Sequence, residues 1–207
     1  PVLRLPDPES LPAPQWTQQA VESAARVRSA SEALVAAFTE AVDEDARAAA
    51  LIEICQSAED AYGADAAALA AAIRDGGGLA TLVACIDSSL PDLQQSALSL
   101  LGNLLTDVFD FYALRTLSFF VSEGGLASVQ QQLRAPYPVN VFACAALQNI
   151  TSLDPVETCA QLRAQGCAAE LSKLLGSDDE TVVSYATAVL ANLRAYDPNP
   201  ESNEALE

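Results

Sequence analysis

Histidine and methionine are both absent from this chain, tryptophan occurs once, and Lys173 is the one lysine. Without histidine, Ser–His and Cys–His nucleophile pairs are excluded. Bases of any kind are scarce: ten Lys and Arg face 28 Asp and Glu, a net charge of −18 over 207 residues. Such a chain repels phosphate backbones, which speaks against a nucleic-acid partner and for a neutral, apolar or basic one. No apolar run reaches about 18 residues, so direct membrane insertion is not expected. The five cysteines (Cys55, Cys85, Cys144, Cys159, Cys167) form neither a Cys-x-x-Cys pair nor a zinc spacing, and read as reduced, buried thiols. Gly76-Gly77-Gly78 lacks the Gly-Lys-Ser/Thr of a phosphate loop, and Asp43-Glu44-Asp45 and Asp178-Asp179-Glu180 lack the spacing of a calcium loop. No metal, cofactor or enzymatic activity is expected. No signal peptide is visible, so a cytoplasmic address is the default; an organelle stays open if a targeting segment has been removed. The chain starts at Pro1 without Met. A removed initiator, a cut precursor and a piece of a longer protein all fit that start.

What the chain does have is repetition. Ala97-Leu98-Ser99-Leu100-Leu101-Gly102-Asn103-Leu104 returns as Ala143-Cys144-Ala145-Ala146-Leu147-Gln148-Asn149-Ile150. It returns again as Ala186-Thr187-Ala188-Val189-Leu190-Ala191-Asn192-Leu193. The steps between asparagines are 46 and 43 residues, and each copy follows a glycine-led segment at Gly77-Gly78, Gly124-Gly125 or Gly166. A period of about 40–47 marks an array of helical repeats, which works by displaying a surface.

The organisation follows from apolar spacing and from Gly and Pro breaks. Residues 1–15 hold five prolines and read as an extended arm. A helix is expected to start near Trp16-Thr17 and another at Asp43-Glu44-Asp45. In Leu51-Ile52-Glu53-Ile54, Glu53 stands where the asparagine would be, which makes residues 17–60 a degenerate first repeat. The second repeat (65–107) reads as a helix over Asp65–Arg74, a short helix over Leu79–Ile86, and a long one from about Asp92 to Thr106 with Pro91 at its first position. The third (108–153) has an aromatic first helix over Phe109–Val121, a short helix carrying Leu126, Val129 and Leu133, and a long one over 139–152. The fourth (154–196) has helices over Pro155–Gln165, Ala168–Leu175 and Glu180–Ala195. Residues 197–207 read as an acidic, disordered tail. About five residues are added around the aromatic helix, since Asn103 lies 22 residues before Gly125 while Asn149 lies 17 before Gly166. The extra aromatics are either core or an apolar docking ridge formed by Phe109, Phe111, Tyr112, Phe119 and Phe120.

The order helix, Gly-Gly, short helix, turn, long helix with Asn resembles the armadillo repeat family. Gly77-Gly78-Leu79-x-x-Leu82-Val83-x-x-Ile86-x-Ser88 and the Ala-x5-Asn-Leu helix carry the resemblance, which is good over 65–195 and poor over 17–60. It implies an all-α, right-handed α-solenoid of about four three-helix repeats spanning 16–196. It also implies that the third helices line a concave groove that grips an extended partner segment. Asn103, Asn149 and Asn192 would form a ladder there, able to clasp a peptide backbone or else to tie their own repeats. Ser99 lies one turn before Asn103, where nuclear import receptors of the family carry tryptophan; Ala145 and Ala188 hold the other two such places, so the basic-signal mechanism is not expected. Phe142 and Tyr185 lie seven before their asparagines, and Tyr196 four after. The expected function is a non-enzymatic protein–protein interaction module. A structural subunit of a larger complex, or the armadillo portion of a longer multidomain protein, is the alternative.

Overall fold

The computed structural model describes residues 15–197; the proline-rich stretch 1–14 and the acidic stretch 198–207, read above as arm and tail, lie outside the described residues. All regular structure among the described residues is helical. The chain divides into two compact units, one ending at Gly125 and the other starting at Leu126.

The first unit holds α1 (Gln18–Thr39), α2 (Glu44–Glu59), α3 (Ala64–Asp75), α4 (Gly78–Ile86), α5 (Pro91–Leu104) and α6 (Ala113–Ser122). Local chemistry sets the helix starts. The Thr17 hydroxyl accepts the Ala20 amide at 3.2 Å and the Asp43 carboxylate accepts the Ala46 amide at 2.8 Å, each filling an orphan donor of the first turn. Pro91 occupies the first turn of α5, where its missing amide costs nothing. The Gln94 side-chain amide donates to the carbonyls of Ile86 and Ser88 at 3.2 and 2.7 Å and closes the turn between α4 and α5.

The alanines of α3 have a packing role. Ala66, Ala70 and Ala72 are fully buried beside Leu69 and Ile73, and α1 packs closely along this smooth face with Val35 and Phe38. At Gly76 even a methyl group would be too much, because a Cβ there would sit 2.7 Å from Val35 Cγ1. The chain then bends by 81° into α4. Among the described residues no single helix is long and apolar enough to cross a membrane; α3 and α4 pass that test only as this bent pair.

The aromatic helix expected over Phe109–Val121 begins four residues later, at Ala113. Phe109–Tyr112 form turns instead, and the reason is Asp110. Its carboxylate is completely buried. One oxygen accepts the Tyr112 amide at 2.9 Å, an Asx-type turn that competes with helix. The other accepts from Arg74 Nη1 at 2.9 Å and from the Thr116 hydroxyl at 2.6 Å. Arg74 is itself buried, donates a second bond to Thr116 at 2.6 Å, and lies 5.9 Å from the Tyr112 ring centroid. The added residues are thus a loop pinned to α3 by a buried ion pair.

The second unit holds most of α7 (Gly125–Gln131), a 3₁₀ turn (Gln132–Arg134) that finishes the expected short helix, α8 (Val139–Leu153), α9 (Pro155–Ala164), α10 (Cys167–Leu174) and α11 (Glu180–Ala195). Asp179 caps α11 by accepting the amides of Thr181 and Val182 at 2.8 and 3.2 Å. Arg163 caps its other end, donating to the carbonyls of Leu193 at 2.7 Å and Tyr196 at 2.9 Å, where a cation also suits the negative end of the helix dipole. The α8–α11 core is drawn from the repeated motif: Ala143, Cys144, Ala146, Leu147 and Ile150 meet Ala186, Val189, Leu190 and Leu193, all buried. Each fully buried Leu or Ile contributes about 1.5–3 kcal/mol relative to an exposed one, so the motif's apolar letters hold the unit together.

Candidate functional site

The last helix of each repeat buries one stripe and exposes the other, so the stripe carrying the asparagines can be read helix by helix. On α5, Leu93, Ala97, Leu100, Leu101 and Leu104 face inward. Ser99 and Asn103, four residues apart and therefore neighbours on one face, are exposed; Ser96 is half-buried and Asp107 exposed just beyond the helix. The Asn103 side chain makes no hydrogen bond among the described residues; its backbone belongs to α5, with the carbonyl accepting from the Thr106 amide and hydroxyl. A free amide of this kind offers two donors and an acceptor.

In the second unit Phe142 and Asn149 on α8 and Tyr185 and Asn192 on α11 are half-buried, with Ala145 and Ala188 between them, and Tyr196 is exposed beyond α11. The Asn192 amide donates to the Thr151 hydroxyl at 2.9 Å and lies 3.5 Å from the Ser152 hydroxyl. Thr151 passes its own proton back to the Leu147 carbonyl at 2.8 Å. The Asn192 nitrogen therefore ties α11 to α8, and only its carbonyl oxygen remains for another group. The repeated asparagines are equivalent in sequence and not in chemistry. The two portions also differ in character: α5 displays hydroxyl, amide and carboxylate groups, whereas α8 and α11 display two aromatic side chains over alanines.

The proposed aromatic ridge is split by burial. Phe120 is fully buried, with its ring where a Cβ on Gly125 would lie 2.2 Å away, so it belongs to the core and is withdrawn from the docking set. Phe119, one residue earlier and on the opposite face, is exposed and lies 5.8 Å from the Arg115 guanidinium. Phe109, Phe111 and Tyr112 are half-buried in the pinned loop, the last two edge-to-face at 5.1 Å. Val108 at the loop tip is 87% exposed. Sequence reading missed Arg74, Asp110 and Thr116; the available signal was a carboxylate inside an aromatic run and an arginine in an otherwise apolar helix.

All five cysteines are free thiols. Burial pushes the Cys144 and Cys167 thiols up to about 12 and those of Cys55, Cys85 and Cys159 up to about 11, so none is a nucleophile near neutral pH. Glu170 is held below its usual range by hydrogen bonds from Arg134 and Lys173, both 3.1 Å away on the surface. Among the described residues no cluster of three or more His, Cys, Asp or Glu is placed to hold a metal ion.

No protein-family model matches the chain, and no curated protein does. Solved structures do. Two engineered proteins superpose with a TM-score of 0.68, at 27% and 26% identity over 86% and 85% of this chain. The chain spans 66% of the length of the first and 40% of the second. A designed armadillo repeat protein, solved in complex with the peptide (KR)4, superposes with a TM-score of 0.69 at 20% identity, over 91% of this chain and 79% of its own length. Computationally designed armadillo repeat proteins for modular peptide recognition give 0.67 at 19% identity, over 90% of this chain and 81% of theirs. The helix order, the glycine breaks and these superpositions together establish that the chain has the armadillo-repeat α-solenoid fold.

Proposed function

We propose that this chain is a non-enzymatic protein-interaction module that binds a partner segment along the last helices of its repeats. The observation that carries the reading is Asn103, an exposed amide with no side-chain bond of its own, set beside exposed Ser99 on the outward stripe of a repeat helix. A group held ready for hydrogen bonding but left unused by its own fold is suited to a partner's backbone. The fold supports the reading, because its designed neighbours include one bound to a peptide and others made for peptide recognition. Half-buried Phe142 and Tyr185, with exposed Tyr196, add aromatic anchors of the kind that dominate interface energies.

The partner class follows from the same residues. No Lys or Arg belongs to the stripe, and Asp107 adjoins it, so an acidic segment is disfavoured. A neutral, apolar or basic segment fits: Asn103 on the first unit offers main-chain bonds, and Phe142 and Tyr185 on the second offer contacts to an aromatic or aliphatic side chain. The test is an array of extended peptides in neutral, basic and acidic sets, probed with the wild type and with Asn103→Ala, Tyr185→Ala and Asn192→Ala. Asn103→Ala should keep its stability and lose peptide binding, as should Tyr185→Ala. Asn192→Ala should instead lower stability by about 1 kcal/mol, the usual net worth of one hydrogen bond. Undiminished binding by both of the first two variants would overturn the proposal.

A further inference from the structure

A second cleft lies away from the repeat stripe, where the start of α1 meets the turn between α2 and α3. It has a volume of about 330 Å³, and Trp16, Ser23, Tyr62, Gly63 and Asp65 are among the residues that shape it. The Thr17 cap fixes the start of α1 and so places Trp16. Gly63 has φ 58° and ψ −124°, a conformation open to glycine alone. The Trp16 ring lies against it, with Cζ3 3.5 Å from where a Cβ would stand. Two large aromatics that an ordinary core would cover stay open here: Trp16 is 42% exposed and Tyr62 83%. Asp65 is bound on one side only. One carboxylate oxygen accepts the Ser23 hydroxyl at 3.0 Å, while the other is buried and meets no donor. Among the described residues, no arginine or lysine lines the cleft.

An aromatic face attracts a cation within about 6 Å, and an uncompensated carboxylate beside it adds Coulomb attraction. A buried carboxylate oxygen without a donor is also a cost that an N–H group reaching it would remove. The aromatics offer apolar walls for an alkyl stem, and a lysine carries such a stem behind its charged head. We propose that this cleft takes the side chain of a lysine presented by a protein partner, its stem against Trp16 and Tyr62 and its ammonium drawn to Asp65. The net charge of −18 favours the approach of such a group. This site uses none of the residues of the repeat stripe, so it stands or falls independently of the peptide-binding reading.

Trp16 is the one tryptophan of the chain, and its fluorescence therefore reports this cleft alone. The full chain is titrated with a short neutral peptide bearing one lysine, with the same peptide bearing norleucine, and with n-butylammonium. The lysine peptide should give a saturable change and the norleucine peptide none. Asp65→Asn should weaken the lysine peptide about fivefold, the upper yield of one partly exposed charge pair. Tyr62→Ala, at an exposed position that carries no fold, should weaken it as well. Equal responses to the two peptides, or an unchanged titration in both variants, would overturn the assignment. A response to n-butylammonium without one to the lysine peptide would overturn it too, because the cleft would then select a free amine.

Discussion

Removing either member of the Arg74–Asp110 pair should be the most damaging single change in the first unit. In Arg74→Ala, the Asp110 carboxylate stays completely buried with the Tyr112 amide and the Thr116 hydroxyl as its remaining partners. Breaking a buried ion pair in this way costs about 3–5 kcal/mol, because the cost is that of an uncompensated charge rather than of the lost contact. The lost stacking of Arg74 over Tyr112, at 5.9 Å, adds about 0.5–1 kcal/mol. Domains of ordinary stability have about 5–15 kcal/mol in all, so the loss is a large share. Asp110→Asn should also be costly, since it leaves the buried Arg74 guanidinium with only the half-exposed Asp75, 3.9 Å from its Nε, as a counter-charge. The double variant Arg74→Met, Asp110→Asn has no charge left to strand. Its amide oxygen can still accept from Tyr112, so it should lie within about 1–2 kcal/mol of the wild type. Urea unfolding followed by far-ultraviolet circular dichroism gives the three differences, and with a slope of about 2 kcal/mol per molar the single variants should unfold about 2 M earlier. Single losses under about 1 kcal/mol, or a double variant whose loss equals the sum of the singles, would refute the claim that this pair pins the loop.

Two further outcomes follow from the packing and the thiols. Gly125→Ala should destabilise by about 1–3 kcal/mol because its methyl group collides with the Phe120 ring, and Phe120→Leu in the same chain should recover part of that loss; failure of the second change to help, in the same urea assay, would mean the ring is not the obstacle. Stability should also fall at high pH. The Cys144 and Cys167 thiols ionise at about 12 when folded and near 8.5–9 when unfolded, so above pH 9 the unfolded state holds fewer protons than the folded one; stability is complete below that pH and is lost as pH rises toward 12, with a limiting slope of about 1.4 kcal/mol per pH unit per thiol, and a Cys144→Ala, Cys167→Ala variant should show a shallower fall.

What could be read from the sequence is what local chemistry decides. Thr17, Asp43, Pro91, Pro155 and Glu180 mark helix starts through capping, the proline ring or the helix dipole, and the helices begin at or beside each of them. Gly76–Gly78 and Gly166 mark breaks because close approach or a left-handed backbone needs glycine there. The aromatic segment was misread because its conformation is set by Arg74, 36 residues earlier, through Asp110. No window of neighbouring residues contains that pair. The division between Phe119 and Phe120 was closer to hand. Ala113, Thr116, Leu117 and Phe120 recur at helical spacing and are all buried, whereas Phe119 falls between them on the open face. The lone carboxylate oxygen of Asp65 lay beyond reach of sequence because its one partner, Ser23, comes from a helix 42 residues away.

The unequal asparagines show that equal letters in a repeat need not have equal surroundings. Asn192 spends its amide on Thr151, 41 residues earlier in the preceding repeat. The same step of 41 residues joins Cys55 on α2 to Ser96 on α5, where the thiol directs its proton at the carbonyl, 3.7 Å away. Asn103 lies about two helical turns beyond that contact, so Cys55 does not stand to it as Thr151 stands to Asn192. The Asn103 amide stays open to solvent beside Ser99. Binding capacity in such an array is set by what the preceding repeat places beside each repeated asparagine as much as by the asparagine.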